Sequence, residues 1–227
     1  MEDPPSRMPT DAAQALFGLA QFATKLKSVP RTGWLDRGVE PVQVESVADH
    51  SFGVALLAWA CALQRRAQGA VIDPERVLKL AIIHDLAEAE TGDSTPYDPK
   101  AIPSEHEPAA RRAFLESRHR RDPDRGAAKR AQEDAVMRGL LESLPGSPQS
   151  ELEELWDELH LGTSGEARFV KQIDRLETFL QSLFYLRTDP TLPMASFHQE
   201  VFESIDDPLL AAIRDAAIAT KSSNETT

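Results

Sequence analysis

Apolar residues recur along most of the chain at i, i+3, i+4 and i+7, the spacing of amphipathic helices. No segment alternates with period two for long enough to be a strand, and we find no internal repeat. The pattern predicts helices over about 12–27, 46–68, 74–91, 105–121, 125–144, 149–161, 164–187, 194–205 and 208–219. The fold class is therefore predicted to be all-α, a helical bundle.

Local signals mark the ends of several helices. Ser46 begins the second predicted helix, and Asp73-Pro74 supplies an N-cap and an N1 proline for the third. Ser104 matches a capping box with Glu107, three residues later. Breakers in 29–44 and 92–103 predict an ordered loop and an extended crossing loop.

The expected core follows from the same pattern. In the second helix the residues expected to be buried are Val47, Phe52, Val54, Leu56, Leu57, Trp59, Cys61 and Leu63. In the helix 164–187 they are Phe169, Val170, Ile173, Leu176, Phe179, Leu180 and Leu183, and Trp156 is expected to join them. Residues 11–219 are expected to form one domain with its core at 46–187, between a disordered leader (1–10) and a frayed tail (220–227).

Composition narrows the class of protein. The 227 residues carry a formal net charge of −12, which argues against general affinity for nucleic-acid backbones or anionic membranes. With a single cysteine, Cys61, a disulfide framework is excluded and a thiolate zinc site is disfavoured. The first ten residues do not resemble a signal peptide, and the longest apolar run is too short for a membrane span. We expect a soluble cytoplasmic protein with no nucleic-acid or membrane partner.

The segment 81–93 is the first candidate for a reactive site, because ionisable side chains follow an apolar run there. His84 and Glu88 stand at i and i+4, so they share a face of the predicted helix, and Asp85 lies about 100° round it. Burying these groups among apolar neighbours is costly unless something pairs with them. This conflict indicates a functional site.

Three separated helices each offer side chains of the kind that bind metals: His50, the His84-Asp85 pair, and Asp174. Two imidazoles and two carboxylates suit a divalent ion such as Mn, Fe, Co, Ni or Mg, with positions left open for water and substrate. Such an ion lowers the pKa of water and polarises a phosphoryl oxygen. The set therefore predicts metal-assisted hydrolysis.

Four blocks of sequence, in order, resemble the HD-domain phosphohydrolases and, among these, the 5′-deoxynucleotidase subfamily. They are LKSVPRTGW (26–34), ESVADHS (45–51), LAIIHDLAE with TGD (80–88 and 91–93), and EARFVKQIDRLE (166–177). The resemblance covers roughly residues 12–187 and implies an HD-domain helical bundle. The loop after Trp34 is longer than in the shortest bacterial members of the subfamily.

The resemblance implies a site made of three sets of residues. The ligands of the catalytic metal would be His50, His84, Asp85 and Asp174. The acidic pair that orients or deprotonates the attacking water, and in some relatives holds a second ion, would be Glu88 and Asp93. The residues that approach the phosphate and the sugar would be Arg31 and Trp34, since a guanidinium can clamp a phosphate bidentately.

The implied activity is that of a phosphoric monoester hydrolase. Water attacks a deoxyribonucleoside 5′-monophosphate in line and releases deoxynucleoside and phosphate, and the subfamily usually forms homodimers. Two alternatives stay open: the same scaffold could hydrolyse triphosphates or modified nucleotides, or the pocket could serve a nucleotide sensor without catalysis.

Other HD relatives use extra histidines to hold two irons, but His119 and His160 are expected to face solvent. The basic band Arg118–Arg125 lacks interleaved aromatics, which makes it a poor nucleic-acid site.

Overall fold

The computed structural model describes residues 10–224 and confirms the predicted all-α class over that range. Its α-helices are α1 (Thr10–Lys25), α2 (Thr32–Asp36), α3 (Val47–Ala67), α4 (Pro74–Ile83), α5 (Glu88–Thr91), α6 (Pro108–Glu116), α7 (Pro123–Leu141), α8 (Gly146–Leu161), α9 (Gly165–Thr188), α10 (Ala195–Ser204) and α11 (Pro208–Asn224). Within the described range the β contacts are limited to one bridge, between Pro30 and Ser46. Residues 1–9 of the predicted leader and 225–227 of the predicted tail lie outside that range. The remainder of both segments is helical, in α1 and α11.

The core is centred on α3, α4 and α9, which pack against one another. The apolar stripe predicted for 164–187 faces this core, and Cys61 and Trp156 are buried as predicted. These helices also position ionisable side chains: His50 lies in α3, His84 and Asp85 directly follow α4, and Asp174 lies in α9. The hydrophobic packing thereby fixes the helices that carry the candidate site.

The start of α3 is held by a complete capping box. The Ser46 hydroxyl accepts from the Asp49 backbone N–H, and the Asp49 carboxylate accepts from the Ser46 backbone N–H. The backbone N–H of Val47 also donates to Val29 O at 2.8 Å, which ties the loop before α2 to the same helix end. His50 in α3 and Arg31 in that loop are therefore brought to the same end of the bundle.

The C-terminal part of the predicted helix 74–91 is wrong. Helix α4 stops at Ile83, residues 84–87 form a turn, and α5 begins at Glu88. In this turn the N–H of Leu86 donates to Ile83 O at 3.1 Å and that of Glu88 to Asp85 O at 3.0 Å, the three-residue spacing of a 3₁₀ turn. Helix propensity favours a continuous helix here, and the tertiary contacts of His84 and Asp85 override it.

Several other element boundaries differ from the prediction, and the predicted helix 105–121 ends at Glu116, so residues 117–122 form a loop. Helix α6 begins at Pro108 rather than near 105, and Glu107 precedes it without a side-chain cap, so the predicted capping box is wrong. Proline suits the first helical position because its missing N–H would be unpaired there. The predicted loop 29–44 contains the short helix α2, which the sequence pattern did not reveal.

One face of α3 carries exposed apolar side chains, against the prediction that they are core. The fractional exposures are 71% for Phe52, 53% for Leu56, 44% for Trp59 and 37% for Leu63. The prediction failed because α3 is apolar on two faces. Helices α4 and α9 cover one of these faces and leave the other exposed. By length and composition α3 could also cross a membrane, which the short apolar runs had not suggested, although core helices of soluble proteins pass the same test.

Candidate active site

His50 lies in the first turn of α3 and is completely buried. Its Nδ1 is 2.6 Å from Glu177 Oε2, and its Nε2 is 3.0 Å from Asp174 Oδ1 and 3.7 Å from Asp85 Oδ2. Burial and nearby Arg31 lower the pKa of His50, but the hydrogen bonds with Asp174 and Glu177 outweigh them and raise it to about 10. His50 thus stands between a carboxylate pair on α9 and the turn that follows α4.

The imidazole of His84 faces the same carboxylates as that of His50, from the opposite side of the cluster. Its Nδ1 lies 2.8 Å from Ala81 O, which fixes Nδ1 as the protonated nitrogen. Its Nε2 is buried and makes no hydrogen bond with any residue that the structure describes, although Asp85 Oδ2 is 3.1 Å away. A buried nitrogen without a hydrogen bond is costly unless it binds something.

This donor set fits a divalent cation. Ligand atoms of His50, His84 and Asp85 all lie within 4.8 Å of one another, and Asp174 reaches His50 Nε2 directly. Burial opposes ionisation of Asp85 and Asp174, but the neighbouring histidines hold the pKa of both carboxyls below the usual value. With Nδ1 engaged by Glu177 or by Ala81 O, each imidazole turns Nε2 toward the two carboxylates, as metal-binding histidines do. The predicted metal ligands are therefore brought together.

The predicted acidic pair borders this cluster. Glu88 is 3% exposed, and burial, followed by the charges of Asp85 and Asp93, raises its pKa well above the usual value. Lys129 Nζ donates to Glu88 Oε1 at 3.1 Å, while Oε2 is buried and has no hydrogen-bond partner among residues 10–224. Asp93 accepts from the backbone N–H of Thr32 at 2.6 Å. The carboxyl of Glu88 is therefore shifted toward its protonated form, and Asp93 is fixed in place.

The two predicted substrate residues are placed differently from each other. Arg31 reaches into the acidic cluster, with Nη1 3.2 Å from Asp93 Oδ1 and 3.5 Å from Asp85 Oδ2. Trp34 borders the cavity but is only 1% exposed, and its indole N–H donates to Glu45 at 2.8 Å. Burial, followed by the charge of Glu177, raises the pKa of Glu45 to about 7. A sugar would therefore meet at most an edge of Trp34.

These side chains surround a cavity of about 430 Å³, a size typical of small-ligand sites. His119 also lines it and stacks on Phe114 with ring centroids 4.2 Å apart, so the expectation that His119 faces solvent is wrong. His160 stacks on Trp156 away from the cavity.

Sequence reasoning missed Glu177 and Lys129. Glu177 follows Asp174 by three residues, so the shared helix face was a usable signal. Lys129 reaches Glu88 only because α7 packs beside α5, and no local pattern reports that contact. Gly53 is a related omission, because a Cβ there would lie 2.6 Å from Glu177 Oε1.

Glu177→Gln is expected to weaken divalent-metal binding by about 10- to 100-fold, the usual cost of losing an outer-shell partner of a ligand histidine. The glutamine keeps the shape but removes the charge 2.6 Å from His50 Nδ1. Isothermal titration with Mn²⁺ measures the change directly. Glu200→Gln on α10 is the control, since its carboxylate pairs with Arg175 and is expected to leave the Mn²⁺ affinity unaltered. Equal affinities in the wild type and Glu177→Gln would refute this role.

Taken together, a helical core and a His, His-Asp, Asp cluster at its end define a protein of the HD-domain class. The HD domain family matches residues 23–210, and the chain belongs to that family. Among curated relatives, it is 34% identical to human "5′-deoxynucleotidase HDDC2" over 173 residues, 76% of this chain and 69% of that protein. It is 32% identical to "5′-deoxynucleotidase hdd1" of Schizosaccharomyces pombe over 164 residues, 72% of this chain and 69% of that protein.

A solved structure supports the same fold assignment. A conserved hypothetical protein of Pyrococcus furiosus superposes with a TM-score of 0.65 and is 26% identical. The match covers 91% of this chain and 99% of that one.

Proposed function

We propose that this chain is a metal-dependent 5′-deoxynucleotidase, which hydrolyses deoxyribonucleoside 5′-monophosphates to deoxynucleoside and phosphate. The observation that carries the proposal is the convergence of His50, His84, Asp85 and Asp174 beside the buried carboxyl of Glu88. Membership of the HD-domain family and the names of the relatives support the same activity.

When bound, a divalent ion supplies charge stabilisation at the phosphoryl group and a lowered pKa for water. His50, His84, Asp85 and Asp174 would hold it. The ligands are nitrogen and oxygen atoms, which suits Mn, Fe, Co, Ni or Mg. We propose one of these without choosing among them.

The remaining roles belong to the chain's own side chains. Glu88 holds or accepts a proton next to the attacking water, because its buried carboxyl has a raised pKa. Asp93 orients that water, since hydrogen bonds from Thr32 N and Arg31 fix both of its oxygens. Arg31 supplies positive charge beside the phosphate, and the edge of Trp34 limits the space near the sugar.

A screen of phosphate release tests the proposal. The purified chain is incubated with deoxy- and ribonucleoside mono-, di- and triphosphates in Mn²⁺, Co²⁺ or Mg²⁺. We expect release from deoxynucleoside monophosphates above all. Preferred release from triphosphates would assign a different HD hydrolase, and nucleotide-induced thermal stabilisation without any release would assign a sensor.

We propose that the enzyme is a homodimer formed through α3. The exposed stripe, defined as Phe52, Leu56, Trp59 and Leu63, runs for about 17 Å along one helix face. Asp49 precedes the stripe and Arg66 follows it, each at three-residue spacing and each exposed. Two copies of α3 crossing antiparallel would bury both stripes and place Asp49 of one chain near Arg66 of the other. A twofold contact of this kind is the commonest in oligomers.

Trp59→Glu is expected to convert the dimer to a monomer at micromolar concentration, because a charge would be buried in the centre of the contact. Sedimentation velocity measures the change. Leu161→Glu is the matched control, because Leu161 is 73% exposed at the end of α8 and lies outside the stripe. A monomeric wild type, or a dimeric Trp59→Glu variant, would rule out this interface.

The cytoplasmic location and the lack of nucleic-acid or membrane partners stay predictions from the sequence.

A further inference from the structure

The basic band between α6 and α7 borders the catalytic cavity. Arg118, His119 and Arg121 line the same space as Asp85 and Glu88. From the sequence, this band was expected to be a poor nucleic-acid site, and His119 was expected to face solvent. Its position next to the acidic cluster requires a different explanation.

Most cations around this cavity already have carboxylate partners. Arg31 pairs with Asp93 and Asp85, Lys129 with Glu88 and Glu133, Arg118 with Glu203, and Arg175 with Glu200. Arg37 has no carboxylate partner among the described residues, but its three nitrogens donate to five oxygens. The hydrogen-bonding capacity of these side chains is largely used.

Arg121 is different. Among the residues described, no carboxylate lies within 4.0 Å of its guanidinium, which makes one hydrogen bond, from Nη2 to Ser94 O at 2.7 Å. The group is half-buried, and burial, followed by the nearby charge of Arg125, lowers its pKa against the smaller opposing effects of Glu133, Asp93 and Glu88. A partly desolvated cation beside another cation is unfavourable until an anion joins it.

The position of Arg121 is also fixed. Its Cγ and Cδ atoms pack over Gly126, where an added Cβ would lie 3.7 Å from Cδ. The bond to Ser94 O anchors the guanidinium next to Asp93, the residue that precedes Ser94 in the chain. A guanidinium held at both ends of its side chain loses little freedom when it binds a phosphate.

We infer that Arg121 binds the phosphoryl group of the substrate, and the phosphate produced from it, as a second guanidinium in addition to Arg31. The inference rests on the proposed function, because it assigns the ligand class, a phosphate monoester dianion, to the same cavity. The guanidinium of Arg31 already forms ion pairs with Asp93 and Asp85, whereas two nitrogens of the Arg121 guanidinium are available to donate to phosphate oxygens. Arg121 is therefore the stronger determinant of phosphate affinity.

Arg121→Ala tests this through the binding of inorganic phosphate. Titration calorimetry on the Mn²⁺-loaded protein is expected to show a phosphate Kd raised by about 10- to 100-fold, the usual effect of losing a hydrogen bond to a charged group. Arg121→Lys is expected to recover part of the affinity, because it restores the charge without the fork. The Mn²⁺ affinity and inhibition by deoxynucleoside, which lacks phosphate, are expected to stay at wild-type values.

Arg120→Ala is the matched control, since the Arg120 side chain is 81% exposed and pairs with Glu203. An unchanged phosphate Kd in Arg121→Ala, or an equal rise in Arg120→Ala, would overturn the inference, even with deoxynucleotidase activity present. If no nucleotide is hydrolysed but the phosphate Kd still depends on Arg121, the proposed function fails while the phosphate site stands.

Discussion

Asp85→Asn is expected to reduce kcat/KM for phosphate release by about a thousandfold or more, since the metal contributes several kcal/mol and each 1.36 kcal/mol is a factor of ten. The carboxylate of Asp85 approaches both histidines of the cluster and the guanidinium of Arg31. Its Oδ2 lies 3.1 Å from His84 Nε2, 3.7 Å from His50 Nε2 and 3.5 Å from Arg31 Nη1. The amide keeps the shape but lacks the charge that a divalent ion requires.

Two measurements check this expectation. Steady-state kinetics in Mn²⁺ gives the loss of activity, and elemental analysis after gel filtration gives the loss of bound metal. Asp215→Asn on α11 is the control, because its carboxylate is exposed and distant from the cavity lining. Asp174→Asn is expected to behave like Asp85→Asn. Full activity in either variant would remove the metal cluster from catalysis.

Glu88→Gln is expected to lower kcat by about 10²- to 10⁴-fold, the usual contribution of a positioned acid or base, while the metal content stays the same. Glu88 is buried, its pKa is raised by burial and by Asp85, and its Oε2 has no hydrogen bond within the described part of the chain. Glutamine can still accept from Lys129 but cannot exchange a proton. Single-turnover phosphate release, with metal content measured on the same samples, provides the test.

The control for this variant is Glu90→Gln. Glu90 is two residues away in the same short helix, and its carboxylate is exposed and pairs with Lys25. An undiminished kcat in Glu88→Gln would contradict its role in proton transfer. A fall in bound metal would instead make Glu88 a ligand.

The helices and the clustering of His50, His84, Asp85 and Asp174 were largely predictable from the sequence. Ser46 and Asp73-Pro74 marked helix starts through local chemistry, and the stripe from Phe169 to Leu183 marked a buried face. The ligand residues stood out because ionisable groups interrupted apolar segments.

The missed features depend on contacts between distant segments. The exposure of Phe52 and Trp59 follows from which face of α3 its neighbours cover, and periodicity cannot identify that face when both are apolar. The approach of Lys129 to Glu88 arises from the packing of α7. The lack of a carboxylate partner for Arg121 within the described residues arises from the position of the loop before α7.

The tightened backbone at 84–87 makes chain length as important as residue identity in this segment. With about three residues per turn, Asp85 and Glu88 lie on one side of the backbone, so the proposed cation ligand and the proposed proton carrier share one wall. An inserted residue would rotate Glu88 by about 120° away from that wall. A related or engineered enzyme must therefore keep the length of this turn as well as its residues.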